Sequence, residues 1–168
     1  MIDSIVKDAI LAALKSTYRP FYTERDFIWT CHKEILKNIS PNNDAHYHIH
    51  YEYPISGKNE ETEKTYYVDL AIVPKQKTEP LLIIEFKYEP AHTREEISRS
   101  KLPVVTLNGI KKDLNKIVAI KKLNPEINWI FIFLDEGNHF EDKRELIMEY
   151  CRSINLEVEN VIIICDNE

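Results

Sequence analysis

The period of the hydrophobic pattern changes along the chain, and this change limits the folds open to it. Apolar residues recur at helical spacing over 2–14 and again over 27–36. Thr23 precedes the second stretch and is a favoured residue type for a helix N-cap. The pattern therefore predicts two helices at the start of the chain.

The spacing of apolar residues then changes to two. Alternation predicts strands over 46–55, 66–73 and 81–88, separated by the polar stretches SGKNEETEK and PKQKTEP. Short polar connections of this kind join antiparallel neighbours. This part of the chain is expected to form a three-strand meander.

The last part of the chain alternates between the two periods. Helical spacing over 108–123 and 139–154 is interleaved with the apolar runs NWIFIFL (128–134) and VIIIC (161–165). Continuous apolar runs are typical of parallel strands that are covered on both faces. The predicted order is ααβββαβαβ, an α/β chain with a central mixed β-sheet flanked by helices.

Length and composition point to one soluble domain. The 168 residues suit a single hydrophobic core, so we expect one domain over 1–168. No apolar stretch is long enough to span a membrane, and charges interrupt the N-terminus, so we expect a cytoplasmic protein without membrane association. Cys31, Cys151 and Cys165 are widely spaced and are predicted to be reduced, buried thiols. The net charge of −6 gives the chain no overall attraction for the phosphates of a nucleic acid. A nucleic-acid partner would therefore need a local basic surface or a metal ion.

Three charged residues interrupt the apolar strands of the segment YYVDLAIVPKQKTEPLLIIEFK. They are Asp69, Glu85 and Lys87. Since side chains alternate along a strand, Glu85 and Lys87 are predicted to share one face, opposite Phe86 and its apolar neighbours. Two opposite charges would then lie side by side on a largely apolar strand.

A hairpin turn centred near Lys77 would set the register of the two strands. It pairs Ala71 with Ile83 and makes Asp69 a direct cross-strand neighbour of Glu85. Two carboxylates roughly 5 Å apart on a half-buried sheet destabilise it unless a cation compensates. Lys87 could supply that charge, or Mg²⁺ (or Mn²⁺) could, since hard divalent cations prefer oxygen ligands. A structural salt-bridge cluster and a solvated sheet face are the alternatives.

This constellation resembles the PD-(D/E)xK nuclease superfamily. Asp69 is followed after fifteen residues by Glu85-Phe86-Lys87, although Val68 stands where the literal motif has Pro. The resemblance implies a restriction-endonuclease-like three-layer fold, whose αβββαβ core matches the predicted order from Thr23 to the strand over 128–134. It also implies metal-dependent hydrolysis of phosphodiester bonds.

The resemblance assigns roles to particular residues. Asp69 and Glu85 would bind Mg²⁺ or Mn²⁺, with the main-chain carbonyl of Phe86 as a further oxygen ligand. Lys87 would orient or deprotonate the attacking water, or stabilise the pentacoordinate phosphorus. Members of the superfamily often add an acidic residue from the helix before the meander, and Glu24 matches that position here.

Glu34 is the alternative acidic residue on this helix. It lies between Lys33 and Ile35, a context that also fits a solvated side chain. Glu24 in turn fits a plain first-turn role, because acidic residues are favoured at helix N-termini.

Alternating histidines mark the first strand of the meander. His46, His48 and His50 share one face, but adjacent side chains on that face are roughly 7 Å apart, which is long for joint zinc ligation. We expect His48 and His50 to line the sheet surface, with Tyr51 facing the core. Glu52 shares the histidine face and is a secondary site candidate beside Asp69.

Basic residues that could contact a nucleic-acid backbone follow the charged strand, and a solvated helix face would look the same. They include Lys111, Lys112 and Lys116. The expected partner is DNA, with RNA left open, and both a monomer and a homodimer remain open. Restriction, defence, repair and mobile-element processing all use such a scaffold, and the fold does not choose among them. The rival functions are a non-catalytic module of the same fold that binds protein or nucleic acid, and a zinc-binding structural protein.

Overall fold

The computed structural model describes residues 2–16, 21–43, 46–59, 62–98 and 104–165. Its elements are, in chain order, α1 (Ile2–Ser16), α2 (Glu24–Asn43), β1 (Tyr47–Asn59), β2 (Thr62–Pro74), β3 (Leu82–Glu89), α3 (Glu95–Ser98), α4 (Leu107–Leu123), β4 (Asn128–Asp135), α5 (Arg144–Ser153) and β5 (Val161–Cys165). Short 3₁₀ turns precede α5 and β5. The order agrees with the predicted ααβββαβαβ, with α3 and the 3₁₀ turns as additions.

The five strands form one mixed sheet in the order β1-β2-β3-β4-β5. β1, β2 and β3 pair antiparallel, while β3 pairs parallel with β4 and β4 with β5. The meander and the parallel strands are therefore both confirmed. The chain has an α/β fold.

Helices cover both faces of this sheet. α1 and α2 pack on the face that carries Leu82, Ile84 and Phe86, while α4 and α5 pack on the face that carries Ile83 and Val68. The cysteines are buried thiols without disulfides, as predicted. Among the described residues, no helix is both long and apolar enough to cross a membrane.

Local sequence signals set several of the boundaries. The Thr23 hydroxyl accepts a hydrogen bond from the Asp26 amide at 3.2 Å, and the Asp26 carboxylate accepts one from the Thr23 amide at 3.0 Å, which confirms the predicted cap of α2. The helix predicted from His139 starts later, at Arg144. The Asp135 carboxylate explains this shift, because it accepts hydrogen bonds from the amides of His139 and Phe140 and holds them in a turn.

The polar stretch SGKNEETEK was predicted to connect two strands, but most of it belongs to the strands themselves. β1 continues to Asn59 and β2 begins at Thr62. The cross-strand partners Lys58 and Glu63 carry opposite charges, which favours pairing even on a solvated hairpin.

The β1–β2 ladder is interrupted where Glu52 lies opposite Asp69. The register is the same on both sides, with Tyr51 opposite Leu70 and Tyr53 opposite Val68, but Glu52 and Asp69 themselves are not paired. Glu52 has a left-handed φ of 45°. Val68 packs beside α4 and α5, whereas Leu70, two residues on, packs beside α1 and α2.

Regular alternation would place Val68 and Leu70 on one face, so the two strands exchange faces at this point. The prediction that Tyr51 faces the core is wrong. Its side chain is exposed, and its ring stacks on the exposed Trp29 of α2 instead of entering the core.

Candidate active site

Asp69 lies where two ladders of the sheet are interrupted. The predicted β2–β3 register is confirmed, with Ala71 opposite Ile83, but the pairing stops at Leu70 and Ile84. Beyond that point the Phe86 amide donates to Asp69 Oδ2 at 2.7 Å, so a side-chain oxygen takes the place of a main-chain partner. Burial raises the pKa of Asp69, while the Phe86 hydrogen bond opposes this shift. The Asp69 carboxylate therefore joins β2 to β3 where their main-chain pairing has ended.

Glu85 is a buried carboxylate with only one of its oxygens paired. Its side chain is 2% exposed, and Lys116 Nζ lies 2.6 Å from Oε2. Oε1 is buried and accepts no hydrogen bond. Burial and the neighbouring charge of Asp69 raise the pKa of Glu85 well above its usual value, although Lys116 opposes them. Asp69 is thus close enough to Glu85 for its charge to raise this pKa, although the two residues are not paired in the ladder as predicted.

Lys87 lies between two carboxylates. Its Nζ is 3.0 Å from Asp113 Oδ2 and 3.5 Å from Glu24 Oε2. Burial alone would lower the pKa of Lys87, but the charges of Glu24 and Asp113 outweigh it and raise that pKa. Lys87 therefore carries a proton at neutral pH.

Glu24 joins this cluster from the first turn of α2. Its Oε2 also accepts a hydrogen bond from the Tyr88 amide at 3.3 Å. Burial raises the pKa of Glu24, with Lys87 opposing the shift. Glu34, the alternative residue on the same helix, forms an ion pair with Lys37. Of these two carboxylates, the structure brings Glu24 to Lys87.

The sequence did not identify Asp113 as a site residue, and it placed Lys116 on a nucleic-acid-binding face. Both project from α4 toward the charged strand, three residues apart on one face of the helix. Lys116 Nζ also donates to the main-chain carbonyl of Tyr67 at 2.9 Å. The signal available in the sequence was their position next to Leu114 and Ile117, which belong to the buried stripe of α4.

A cleft of about 870 Å³ opens beside these residues. Its wall includes Glu24, Asp69 and Lys87, together with Glu52. Three exposed aromatic side chains also line it: Tyr22, Trp29 and Tyr51. The Trp29 and Tyr51 rings are stacked, with centroids 6.0 Å apart and planes 17° apart. The cleft combines a charged wall with an aromatic wall.

The secondary candidates lie at different distances from this cleft. Glu52 is exposed on its rim, 3.5 Å from Arg25. His48 and His50 are exposed on β1, as expected, and do not line the cleft.

The remaining candidates are on α4 and on the main chain of β3. Lys112 is exposed, and Lys111 Nζ lies 4.7 Å from the centroid of the Tyr150 ring. The main-chain amide of Phe86 contacts the site, because it donates a hydrogen bond to the Asp69 carboxylate.

A second cluster lies at the carboxyl ends of β3 and β4. One ligand atom each from Glu89, His92 and His139 lies within 4.8 Å of the others, so the three could hold a metal ion. The sequence did not single them out. Glu89 continues the alternation of Glu85 and Lys87 along β3, which was the available signal, whereas His139 comes close only through the pairing of β3 with β4.

The donor set around Asp69 and Glu85 suits a hard divalent cation. It offers carboxylate oxygens, and the buried Oε1 of Glu85 has no hydrogen-bond donor. Comparison with protein-family models, with curated protein sequences and with solved structures finds no match for this chain.

Proposed function

We propose that this protein is a metal-dependent nuclease that hydrolyses phosphodiester bonds of DNA, with a restriction-endonuclease-like fold. One observation carries the proposal: Asp69, Glu85, Lys87 and Glu24 come from three different elements and converge where the β-ladders are interrupted. Burial raises the pKa values of these carboxylates, which means that their ionised forms destabilise the fold. Groups with such shifted pKa values beside a cleft are typical of functional sites.

Asp69 and Glu85 would hold Mg²⁺ or Mn²⁺, with the Phe86 carbonyl as a further oxygen ligand. When bound, such an ion polarises a phosphoryl oxygen and lowers the pKa of its water. The hydrogen bond from the Phe86 amide fixes the orientation of Asp69. Glu24 orients the Lys87 ammonium from the first turn of α2.

The protonation state of Lys87 decides between two roles, proton removal from water and stabilisation of negative charge. A lysine whose pKa is raised by two carboxylates is a poor base at neutral pH. We therefore assign Lys87 to the stabilisation of negative charge on the phosphorus oxygens, and not to proton removal from water.

The aromatic wall supports a nucleic-acid substrate. Every nucleobase has a face that can stack on an aromatic side chain, and Trp29 is 54% exposed beside Tyr51. A chain of net charge −6 gains little from long-range attraction, so stacking and the metal would supply much of the affinity.

A cleavage assay tests the proposal. Plasmid DNA, single-stranded DNA and RNA are each incubated with the protein and Mg²⁺, Mn²⁺ or a chelator. We expect cleavage of DNA with metal only, and loss of cleavage in Asp69→Asn. Glu34→Gln is the matched control, because it removes a carboxylate of α2 outside the cleft. Equal results with metal and with chelator would rule out the proposed reaction.

The Lys116–Glu85 ion pair favours one alternative. A buried ion pair with its atoms 2.6 Å apart can have a purely structural role. The protein would then be a non-catalytic module that binds nucleic acid or protein. Binding of DNA to the protein without cleavage under any metal condition would support this alternative.

A further inference from the structure

The Glu89 side chain is fully buried, and only one of its two carboxylate oxygens accepts a hydrogen bond. Its Oε2 accepts a hydrogen bond from the Val105 amide at 2.6 Å. Its Oε1 accepts none, although His92 Nε2 is 2.6 Å away. A buried carboxylate oxygen without a well-placed donor is costly, and either a protonated His92 or a bound cation would offset that cost.

His139 presents a second buried atom without a hydrogen-bond partner, its Nε2. The His139 and His92 rings lie close together, with centroids 4.3 Å apart. Two imidazoles and a carboxylate therefore converge, with one ligand atom from each within 4.8 Å of the others. Ligand atoms around a four-coordinate zinc ion are about 3.3 Å apart, so small rotations of these side chains would suffice.

The turn after β4 positions the His139 ring. Asp135 is fully buried, and its two carboxylate oxygens accept hydrogen bonds from the amides of His139 and Phe140 at 3.0 and 2.7 Å. Asn138 adopts a left-handed φ of 53°. A Cβ atom on Gly137 would lie 2.3 Å from His139 Nε2, so a side chain there would displace the ring. The turn and the close approach of Gly137 together limit the positions open to the His139 ring.

We infer that Glu89, His92 and His139 form a binding site for a transition-metal ion of the Zn²⁺ class, separate from the carboxylates around Asp69. Two imidazole nitrogens and one carboxylate oxygen suit Zn²⁺ and are a poor set for Mg²⁺. The His92 side chain is 44% exposed, which leaves room for water as a fourth ligand.

The position of the site indicates what it does. Glu89 and His92 belong to the end of β3 and the turn after it, and His139 belongs to the turn after β4. Through Oε2, Glu89 also holds Val105, which lines the cleft just before α4. The ion would clamp these segments together and fix one wall of the cleft. This inference does not depend on the proposed nuclease activity.

Metal binding to the full chain tests the inference. Chelator-treated protein is titrated with Zn²⁺ and with Mg²⁺ by calorimetry, and the bound metal is counted by elemental analysis. The absorption of added Co²⁺ reports tetrahedral nitrogen and oxygen ligands. We expect one Zn²⁺ per chain at this site, with tetrahedral Co²⁺ bands, and no competition from equimolar Mg²⁺.

Variants locate the ion. His92→Ala and His139→Ala should each weaken Zn²⁺ binding at least tenfold, and Gly137→Ala should weaken it by displacing His139, within the roughly 10- to 100-fold range known for supporting residues. The matched control is the double variant His48→Ala/His50→Ala, which removes two exposed histidines of β1. Asp69→Asn should also retain the ion. Unchanged Zn²⁺ affinity in His139→Ala, or loss of the ion in the β1 control, would overturn the inference.

Discussion

Lys116 Nζ lies 2.6 Å from Glu85 Oε2, inside the site that the sequence assigned to two carboxylates and Lys87. The charge that the carboxylate pair requires is thus supplied by α4. This contact changes what each substitution around the pair should do.

The stability of the metal-free protein should rise in Glu85→Gln at neutral pH. Because the folded-state pKa of Glu85 is raised above its unfolded value, ionisation of Glu85 disfavours the folded state as pH increases through that range. From the raised pKa alone we expect a gain on the order of 1 kcal/mol at pH 8, disappearing below about pH 4, where the carboxyl is protonated in both states. Urea unfolding in chelator at the two pH values measures this. A large loss of stability at pH 8 would instead mean that the ion pair with Lys116 dominates.

Lys116→Gln should increase the affinity of the Asp69–Glu85 pair for Mn²⁺. Removing one positive charge next to the carboxylates should strengthen binding by about tenfold, since it removes a competing cation. Calorimetry in a His139→Ala background confines the signal to this pair. Lys112→Gln, an exposed charge on the same helix, is the control and should leave the affinity unchanged. An equal increase in both variants would instead favour a general effect of the basic residues of α4, and unchanged affinity in Lys116→Gln would contradict the prediction.

Lys87→Ala should lose cleavage by on the order of 10²-fold while it retains Mn²⁺, because the carboxylates remain. Lys87→Arg should keep more activity than Lys87→Ala without reaching the wild-type rate, since its charge is preserved but its shape is not. Single-turnover cleavage and Mn²⁺ titration on both variants give the two readouts. Full activity of Lys87→Ala would remove Lys87 from the reaction.

Trp29 should report on substrate binding. Of the two tryptophans, Trp29 is 54% exposed in the cleft and Trp129 is 1% exposed in the core. A single-stranded oligonucleotide should quench the Trp29 fluorescence, and Trp29→Ala should bind it about tenfold more weakly. Tyr67→Ala, which removes an exposed aromatic side chain outside the cleft, is the matched control. Equal weakening in both variants would argue against a specific stacking wall.

The hydrophobic pattern was sufficient to predict the sheet and part of the site. The apolar alternation and the turn near Lys77 together predicted the pairing of Ala71 with Ile83. One step beyond the end of this ladder, Asp69 is close enough to raise the pKa of Glu85. Local information was sufficient because both strands belong to one short hairpin.

The contributions of α4 and of the turn after β4 could not be predicted in this way. Asp113 and Lys116 have the spacing of a solvated helix face, and only the packing of α4 across the sheet brings them to Lys87 and Glu85. His139 approaches His92 for a similar reason, since the two are joined only through the pairing of β3 with β4. The change of face at Glu52 depends on a φ value that no alternation pattern encodes.

The interrupted ladder at Asp69 also creates a local reporter of the charge state of the site. The Phe86 amide is protected by a carboxylate oxygen, whereas amides inside a ladder are protected by carbonyl oxygens that do not titrate. Its hydrogen–deuterium exchange should therefore follow the ionisation of Asp69, and cation binding at that carboxylate, more closely than global unfolding. Exchange at this one backbone amide thus reports the charge and cation occupancy of Asp69 in the unsubstituted protein.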